Sequence, residues 1–167
     1  MEKTYHIFIS HSWAYTDAYE QLISLLKKDS DFKFKDYSVP KDDPIHNASN
    51  DKELYEAIKE QISHANVVII LAGVYSTYSK WINKEIKIAK EEFVIPKKIL
   101  AVEPWGSQRT SSVVKEAADK IVGWNSSSII NAIKRIVLVS YIYIINKVEN
   151  TLIYSRLLYC CLKTTLQ

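Results

Sequence analysis

Glu85 is the residue of this sequence with the clearest capacity for chemistry, because it is a carboxylate on the apolar side of a predicted helix. The helix covers 79–93, SKWINKEIKIAKEEF, and at about 100° per residue its apolar side chains form one broad stripe. That stripe contains Trp81, Ile82, Ile86, Ile88, Ala89 and Phe93. A carboxylate inside the stripe has to be neutralised, hydrogen-bonded or exposed in a cleft. The alternative is a structural glutamate that reaches solvent or pairs with a lysine.

Hydroxyl and aromatic side chains elsewhere in the chain could complete a ligand site around this acid. They are Ser10, Ser12, Tyr37, Ser76, Ser79 and Trp81. Aromatic rings stack on a flat heterocycle, hydroxyls and backbone amides hold ribose and phosphate, and a carboxylate accepts hydrogen bonds from sugar hydroxyls. One carboxylate can also stabilise an oxocarbenium-like centre when an already cationic group departs, whereas glycoside hydrolases generally need a second acid. The residues therefore predict a nucleotide site centred on a single acid.

Other common chemistries lack their sequence signatures. The chain contains no GxGxxG, GxxxxGK[ST], CxxC or GxSxG motif. Its histidines, which show no metal-ligand spacing, are His6, His11, His46 and His64. A receiver-type phosphoacceptor is excluded because Gly73 stands where the aspartate after the third strand would be. We therefore predict no metal, and we predict that Glu92, the other acid in the stripe, is structural.

The predicted elements alternate between strands and helices. Strands are predicted over 5–10, 32–37, 66–72, 98–102 and 121–124, and helices over segments that begin at 17, 51, 79, 110 and 129. The continuous apolar run at 66–72 is typical of a central parallel strand, and the alternating FKFKDY at 32–37 favours an edge strand. This pattern predicts an α/β, flavodoxin-like, doubly wound five-stranded parallel sheet with a C-terminal helical extension. Ligands in such sheets bind at the carboxyl ends of the strands, where we expect Glu85 to lie.

Composition and charge favour one cytoplasmic domain. The chain has 167 residues, a net charge of +3 and only two cysteines, Cys160 and Cys161, which are adjacent. Its lysines are spread along the sequence, so no nucleic-acid partner is predicted. We predict a domain over 1–135 and an extension over 136–167. The apolar run at 136–145 is too short for a bilayer, which favours a helix packed on the domain or on a second subunit; a membrane anchor and a strand are the alternatives.

Three motifs resemble a TIR domain. They are FISHSW at 8–13, DYSVP at 36–40 and S-x-W-x-x-x-E at Ser79, Trp81 and Glu85. The long loop at 38–50 is similar to the BB loop of that superfamily. The resemblance covers about residues 5–135 and is greatest to the TIR proteins of the bacterial Thoeris anti-phage defence system (ThsB-like).

This resemblance implies an enzyme that cleaves NAD⁺ at the nicotinamide–ribose bond and cyclises the product to a cyclic ADP-ribose isomer. NAD⁺ would be the substrate, with no further cofactor. Glu85 matches the catalytic glutamate, and Ser79 and Trp81 match positions near the nicotinamide ribose. The residues that match the loop lining the pocket are Phe8, Ser10, His11 and Ser12.

The resemblance also implies partners. A phage-derived trigger would switch the enzyme on, and the cyclic nucleotide would diffuse to a downstream effector that depletes NAD⁺. A homo-oligomer is a further possibility, without membrane or nucleic acid. The alternatives are a non-catalytic TIR scaffold that assembles through the loop at 38–50 and a hydrolase that acts on nucleosides.

Overall fold

The structure, a computed structural model, describes residues 3–10, 16–39, 51–73, 80–103 and 111–164; the side chains of residue 16 and of 149–164 lie outside that description. The elements are β1 Thr4–Ser10, α1 Thr16–Lys27, β2 Lys33–Asp36, α2 Asp51–His64, β3 Val67–Leu71, α3 Lys80–Glu91, β4 Lys98–Glu103, α4 Ser112–Ala117, β5 Lys120–Gly123 and α5 Ser126–Thr164. Their alternation confirms the predicted α/β fold class, with a C-terminal helix after the last strand.

The sheet is parallel throughout and has the strand order β2-β1-β3-β4-β5. β3 is central, as its uninterrupted apolar run predicted, and the side chains of Val67–Ile70 are fully buried. β2 is an edge strand in which exposed and half-buried residues alternate. The chain order reverses between β1 and β3, so the switch point of the fold lies where these two strands end.

Each face of the sheet carries its own apolar core. On one face α1 and α5 pack against Ile7 and Ile9 of β1. On the other face α2, α3 and α4 pack against Phe8 of β1 and the inward residues of β3 and β4. Because side chains alternate along a strand, Ser10 lies on the same face as Phe8. The last residue of β1 is therefore directed toward the helices that follow β2 and β3.

α5 is a single helix that continues through the predicted boundary between 135 and 136. Its first turn is joined to the domain by Ser126 Oγ, which donates to the Leu25 carbonyl at 2.8 Å. Its first part is buried against the sheet at Ile129, Ile133 and Val137. By length and composition alone the segment Ser126–Val148 could cross a membrane, with a mean hydropathy of 1.6, although 28% of it is buried inside the protein.

Candidate active site at the carboxyl edge of the sheet

Glu85 and Ser10 meet at the carboxyl edge of the sheet. Glu85 lies in the second turn of α3 and is 8% exposed, and Ser10, the last residue of β1, is fully buried. The Ser10 hydroxyl donates a hydrogen bond to Oε2 of Glu85. Since β1 flanks the point where strand order reverses, the carboxylate lies where a doubly wound sheet places its ligand. The structure thus brings the predicted acid and one of its predicted hydroxyl neighbours into direct contact.

The apolar stripe of α3 explains why this carboxyl group is buried. Ile82 and Ile86 flank it in the core beneath α3, and both are almost fully enclosed. Burial raises the pKa of Glu85 to about 7, and the hydrogen bond from Ser10 opposes that rise in part. Among the ion pairs of the described residues none includes Glu85. Within the described residues Glu85 is therefore not the lysine-paired structural glutamate that the sequence left open.

Glu92, the residue directly after α3, is an acid whose carboxylate joins two elements of the structure. Its carboxylate accepts a hydrogen bond from Tyr55 Oη at 2.9 Å and pairs with Lys59 Nζ at 2.6 Å. The hydrogen bond from Lys59, with that from Tyr55, holds the pKa of Glu92 below its usual value. Both partners lie on α2, so Glu92 joins α2 to α3. Within the described residues the two glutamates differ because Glu92 pairs with a cation and Glu85 forms no ion pair.

Trp81 and Phe8 lie on the same face of the sheet as Glu85 but in different surroundings. Phe8 is 1% exposed and belongs to the core beneath α3. Trp81 lies one turn before Glu85 and is half-buried, with Lys84 Nζ 4.0 Å from its ring centroid. Lys84 also pairs with Asp51 at the start of α2, at 2.9 Å. Trp81 is thus the partly accessible ring nearest to Glu85 in sequence, and Phe8 is a supporting core residue.

Tyr37 follows β2, and its ring contacts lie away from the acid. Its ring stacks on His64 at 5.3 Å between centroids and is tilted against His6 at 5.4 Å. Its backbone N–H donates to the Ile7 carbonyl at 2.9 Å and extends the β1–β2 ladder. These contacts tie the end of β2 to α2, while a ligand-binding role for Tyr37 stays a prediction.

The other predicted site residues lie outside the part of the chain that the structure describes. They are His11, Ser12, Ser76 and Ser79. The loop at 38–50 falls in the same category except for its first two residues.

A polar network beneath the site was missed by sequence reasoning. The Ile9 N–H donates to Ser38 Oγ at 2.7 Å, and Ser38 in turn donates to Asp36 Oδ1. The other oxygen of Asp36 accepts a hydrogen bond from Tyr19 Oη at 2.6 Å. Ser38 therefore fixes β1 one residue before Ser10. The available signal was the D-x-S spacing after an edge strand, which is typical of a side-chain-capped turn.

Removing the Ser38 hydroxyl is expected to loosen this end of β1. Ser38→Ala should lower the free energy of unfolding by about 1–2 kcal/mol, because partly buried hydrogen bonds are lost. Urea denaturation followed by circular dichroism measures the change. The matched control is Ser63→Ala, whose exposed hydroxyl donates only within α2, to Glu60 O, and should have a smaller effect. Equal effects for the two variants would contradict a role for Ser38 in holding β1.

The fold and the site together define a flavodoxin-like α/β domain with a buried acid at its switch point that forms no ion pair within the described residues. The chain belongs to the family described as Thoeris protein ThsB, TIR-like domain, whose model matches residues 8–109. That range contains Ser10, Trp81 and Glu85, so the resemblance predicted from the three motifs is confirmed at the level of the family. The protein is accordingly a TIR-like module of anti-phage defence.

No curated protein matches the chain. Among solved structures 25 chains match. One of them, titled "Structure of Clostridium botulinum CMP N-glycosidase, BcmB", is 11% identical, covers 77% of this chain and 98% of its own, and has a TM-score of 0.42. Similarity at that level carries no information about the reaction.

Proposed function

We propose that this TIR-like domain cleaves NAD⁺ at the nicotinamide–ribose bond and closes the remainder into a cyclic ADP-ribose isomer. The isomer would act as a second messenger for an NAD⁺-depleting effector in anti-phage defence. The observation that carries the proposal is Glu85, buried at the carboxyl edge without a cationic partner among the described ion pairs and hydrogen-bonded by Ser10.

The bond that breaks suits a site with one acid. As the ribose C1–nitrogen bond breaks, its electron pair moves to the pyridinium nitrogen and nicotinamide leaves as a neutral molecule. No proton has to be delivered to this leaving group, whereas the alcohol that leaves an ordinary glycoside needs one. Within the described ranges Glu85 is the only buried carboxylate. Its ionised form would accept hydrogen bonds from the ribose hydroxyls and stabilise the positive charge that develops at C1.

The second step decides the product. A ring nitrogen or hydroxyl of the same bound molecule attacks C1 and loses its proton, if it carries one, which forms the cyclic isomer; attack by water would give ADP-ribose. Excluding water therefore favours the cycle. Trp81, half-buried one turn from Glu85, is the described residue we propose for that role.

The remaining predicted residues complete the proposal. Ser79 would lie near the nicotinamide ribose with Trp81. The proposed lining of the pocket consists of Phe8, Ser10, His11, Ser12, Tyr37 and Ser76. We further propose that the protein acts in the cytoplasm and is switched on by a phage-derived trigger.

The test is product analysis. Cells that carry the wild-type protein, with and without phage infection, and the purified protein incubated with NAD⁺ are analysed by mass spectrometry for nicotinamide and for a species lighter than ADP-ribose by one water. We expect both products after infection, and neither with Glu85→Gln. Glu92→Gln is the matched control, because it changes an acid directly after α3 that pairs with Lys59, and it should retain the products.

Two results would overturn the proposal. The first is NAD⁺ that stays intact under every condition while protection from phage persists. The second is protection by Glu85→Gln equal to that of the wild type, which would favour the non-catalytic scaffold. Release of free bases from nucleosides with no action on NAD⁺ would favour the nucleoside hydrolase.

A further inference from the structure

The outer side of α5 beyond the core is apolar and exposed. Its large apolar side chains, each about half exposed, are Leu138, Val139, Tyr141, Ile142, Tyr143, Ile145 and Val148. At this level α5 still contacts the domain: Ile144 lines a cavity together with Lys97, and Tyr141, at the border of the exposed side, has its ring centroid 4.7 Å from Lys3 Nζ. The helix continues as far as Thr164.

A heptad pattern begins in the exposed residues of α5 and continues in the sequence of the helix as far as residue 162. Residues spaced alternately by three and four form a line along the helix, which we call the seam: Leu138, Tyr141, Ile145, Val148, Leu152, Ser155, Tyr159 and Leu162. All are apolar or aromatic except Ser155. Within the polar stretch 146–151, NKVENT, the single apolar residue is Val148, and it falls on the seam. A 3.5-residue apolar repeat kept over more than three heptads is the signature of helices that pair with one another.

A bilayer suits this segment poorly. The first part of α5 packs in the core of the domain, where Ile129 and Ile133 are fully buried against the sheet, and so it cannot contact lipid. The exposed apolar part, 138–148, is about 16 Å long, roughly half of the about 30 Å of a hydrocarbon core. Extending it to residue 162 would place Lys147, Glu149 and Arg156 inside the bilayer.

We propose that a second copy of this chain covers the seam, with the two α5 helices paired as an antiparallel coiled coil. The orientation follows from charge. In an antiparallel pair whose two-fold axis lies level with 152–153, Glu149 of one copy and Arg156 of the second copy are equally far from the axis. The two positions also share one heptad letter beside the seam, so the pairing sets an acidic position level with a basic position twice in the dimer. In a parallel pair every residue would be level with its own copy, and this complementarity would be lost.

The dimer leaves the candidate active site free. α5 follows β5 and runs back along the sheet, and it reaches Asn66 and Lys98, which lie at the starts of β3 and β4. Glu85 and Ser10 lie at the opposite, carboxyl edge. Pairing through the seam thus joins two copies by the edge remote from Glu85, and it does not depend on what reaction Glu85 performs.

Sedimentation velocity on the full chain tests the pairing. We expect wild-type protein to sediment at twice the chain mass of 19.3 kDa. The seam variant Ile145→Lys with Val148→Lys should sediment as a monomer. The matched control is Val139→Lys with Tyr143→Lys, which changes two residues of similar exposure away from the seam and should stay dimeric. Thermal unfolding by circular dichroism shows that each variant keeps its domain.

Charge reversal tests the orientation. Glu149→Arg alone should weaken the dimer at least severalfold, and addition of Arg156→Glu should restore it. Failure of the double variant to recover would overturn the antiparallel arrangement. A wild-type monomer, or equal loss of the dimer in the seam and control variants, would overturn the seam itself. Flotation of wild-type protein with phosphatidylethanolamine–phosphatidylglycerol vesicles, lost in the seam variant, would assign the surface to a membrane instead.

Discussion

Relative to the wild type, Glu85→Gln is expected to gain about 3 kcal/mol of unfolding free energy between pH 4 and pH 8. The wild-type carboxyl group has a pKa of about 7 in the folded chain, raised by burial from its ordinary value of 4.5. Between these two values the folded state binds more protons than the unfolded state. The wild type therefore loses stability as the pH rises through that window, and the loss is complete above pH 7.

Glutamine removes this titration and keeps the shape of the side chain. Its amide oxygen can still accept the hydrogen bond from Ser10, so the difference between the two proteins reflects the charge. Urea denaturation at pH 4, 5, 6, 7 and 8 measures it. Glu92→Gln is the control of opposite sign: the pKa of Glu92 is lowered by Lys59 and Tyr55, so this variant should lose stability relative to the wild type as the pH rises. Parallel curves for Glu85→Gln and the wild type would show that Glu85 titrates as an exposed acid.

Nicotinamide release, if the proposed reaction is correct, is expected to rise about fiftyfold in kcat/KM between pH 5 and pH 7 and to level off above. Only the ionised form of Glu85 can stabilise positive charge at the ribose, and with a pKa of about 7 that form is scarce at pH 5. The profile of kcat/KM reports the free enzyme. In the complex, the cationic substrate favours the carboxylate, so the profile of kcat should shift to lower pH.

Ser10→Ala tests whether the pH dependence of kcat/KM comes from the ionisation of Glu85. The hydrogen bond from Ser10 lowers the pKa of Glu85, so its removal should move the kcat/KM profile to higher pH. Glu92→Gln should leave the profile where it is. A wild-type profile that is flat from pH 5 to pH 8, measured as initial rates of nicotinamide formation, would exclude Glu85 as the group whose ionisation activates the enzyme.

Local pattern in the sequence determined the class of fold. The unbroken apolar run of β3 specified a central strand, because a strand covered on both faces has no solvated side, and the alternation in β2 specified an edge. Helical periodicity likewise placed Glu85 on the inner side of α3. The motifs around Ser10, Asp36 and Glu85 pointed to the TIR family. These features are determined by neighbours in the chain, and for that reason they could be read without a structure.

Contacts between distant residues were decided only by the tertiary structure. Glu85 in α3 and Glu92 just after the end of α3 both fall in the apolar stripe of the sequence pattern, yet Glu85 is joined to Ser10 of β1 and Glu92 to Lys59 of α2. Their pKa values are therefore shifted in opposite directions. In the network from Ile9 through Ser38 to Tyr19, the D-x-S spacing could indicate only the local turn, because the bonds to Ile9 and Tyr19 join distant parts of the chain.

The packing of α5 was likewise decided only by the tertiary structure. Its apolar content allowed a helix on the domain, a helix on a second copy, a strand or a membrane anchor. Only the fold showed which of its residues are used by the core, because burial depends on what the sheet presents at each level. Ile129 and Ile133 are buried in the core, whereas Leu138, Ile145 and Val148 stay exposed. Periodicity thus determined which residues share a face, and the tertiary structure decided which faces are already occupied.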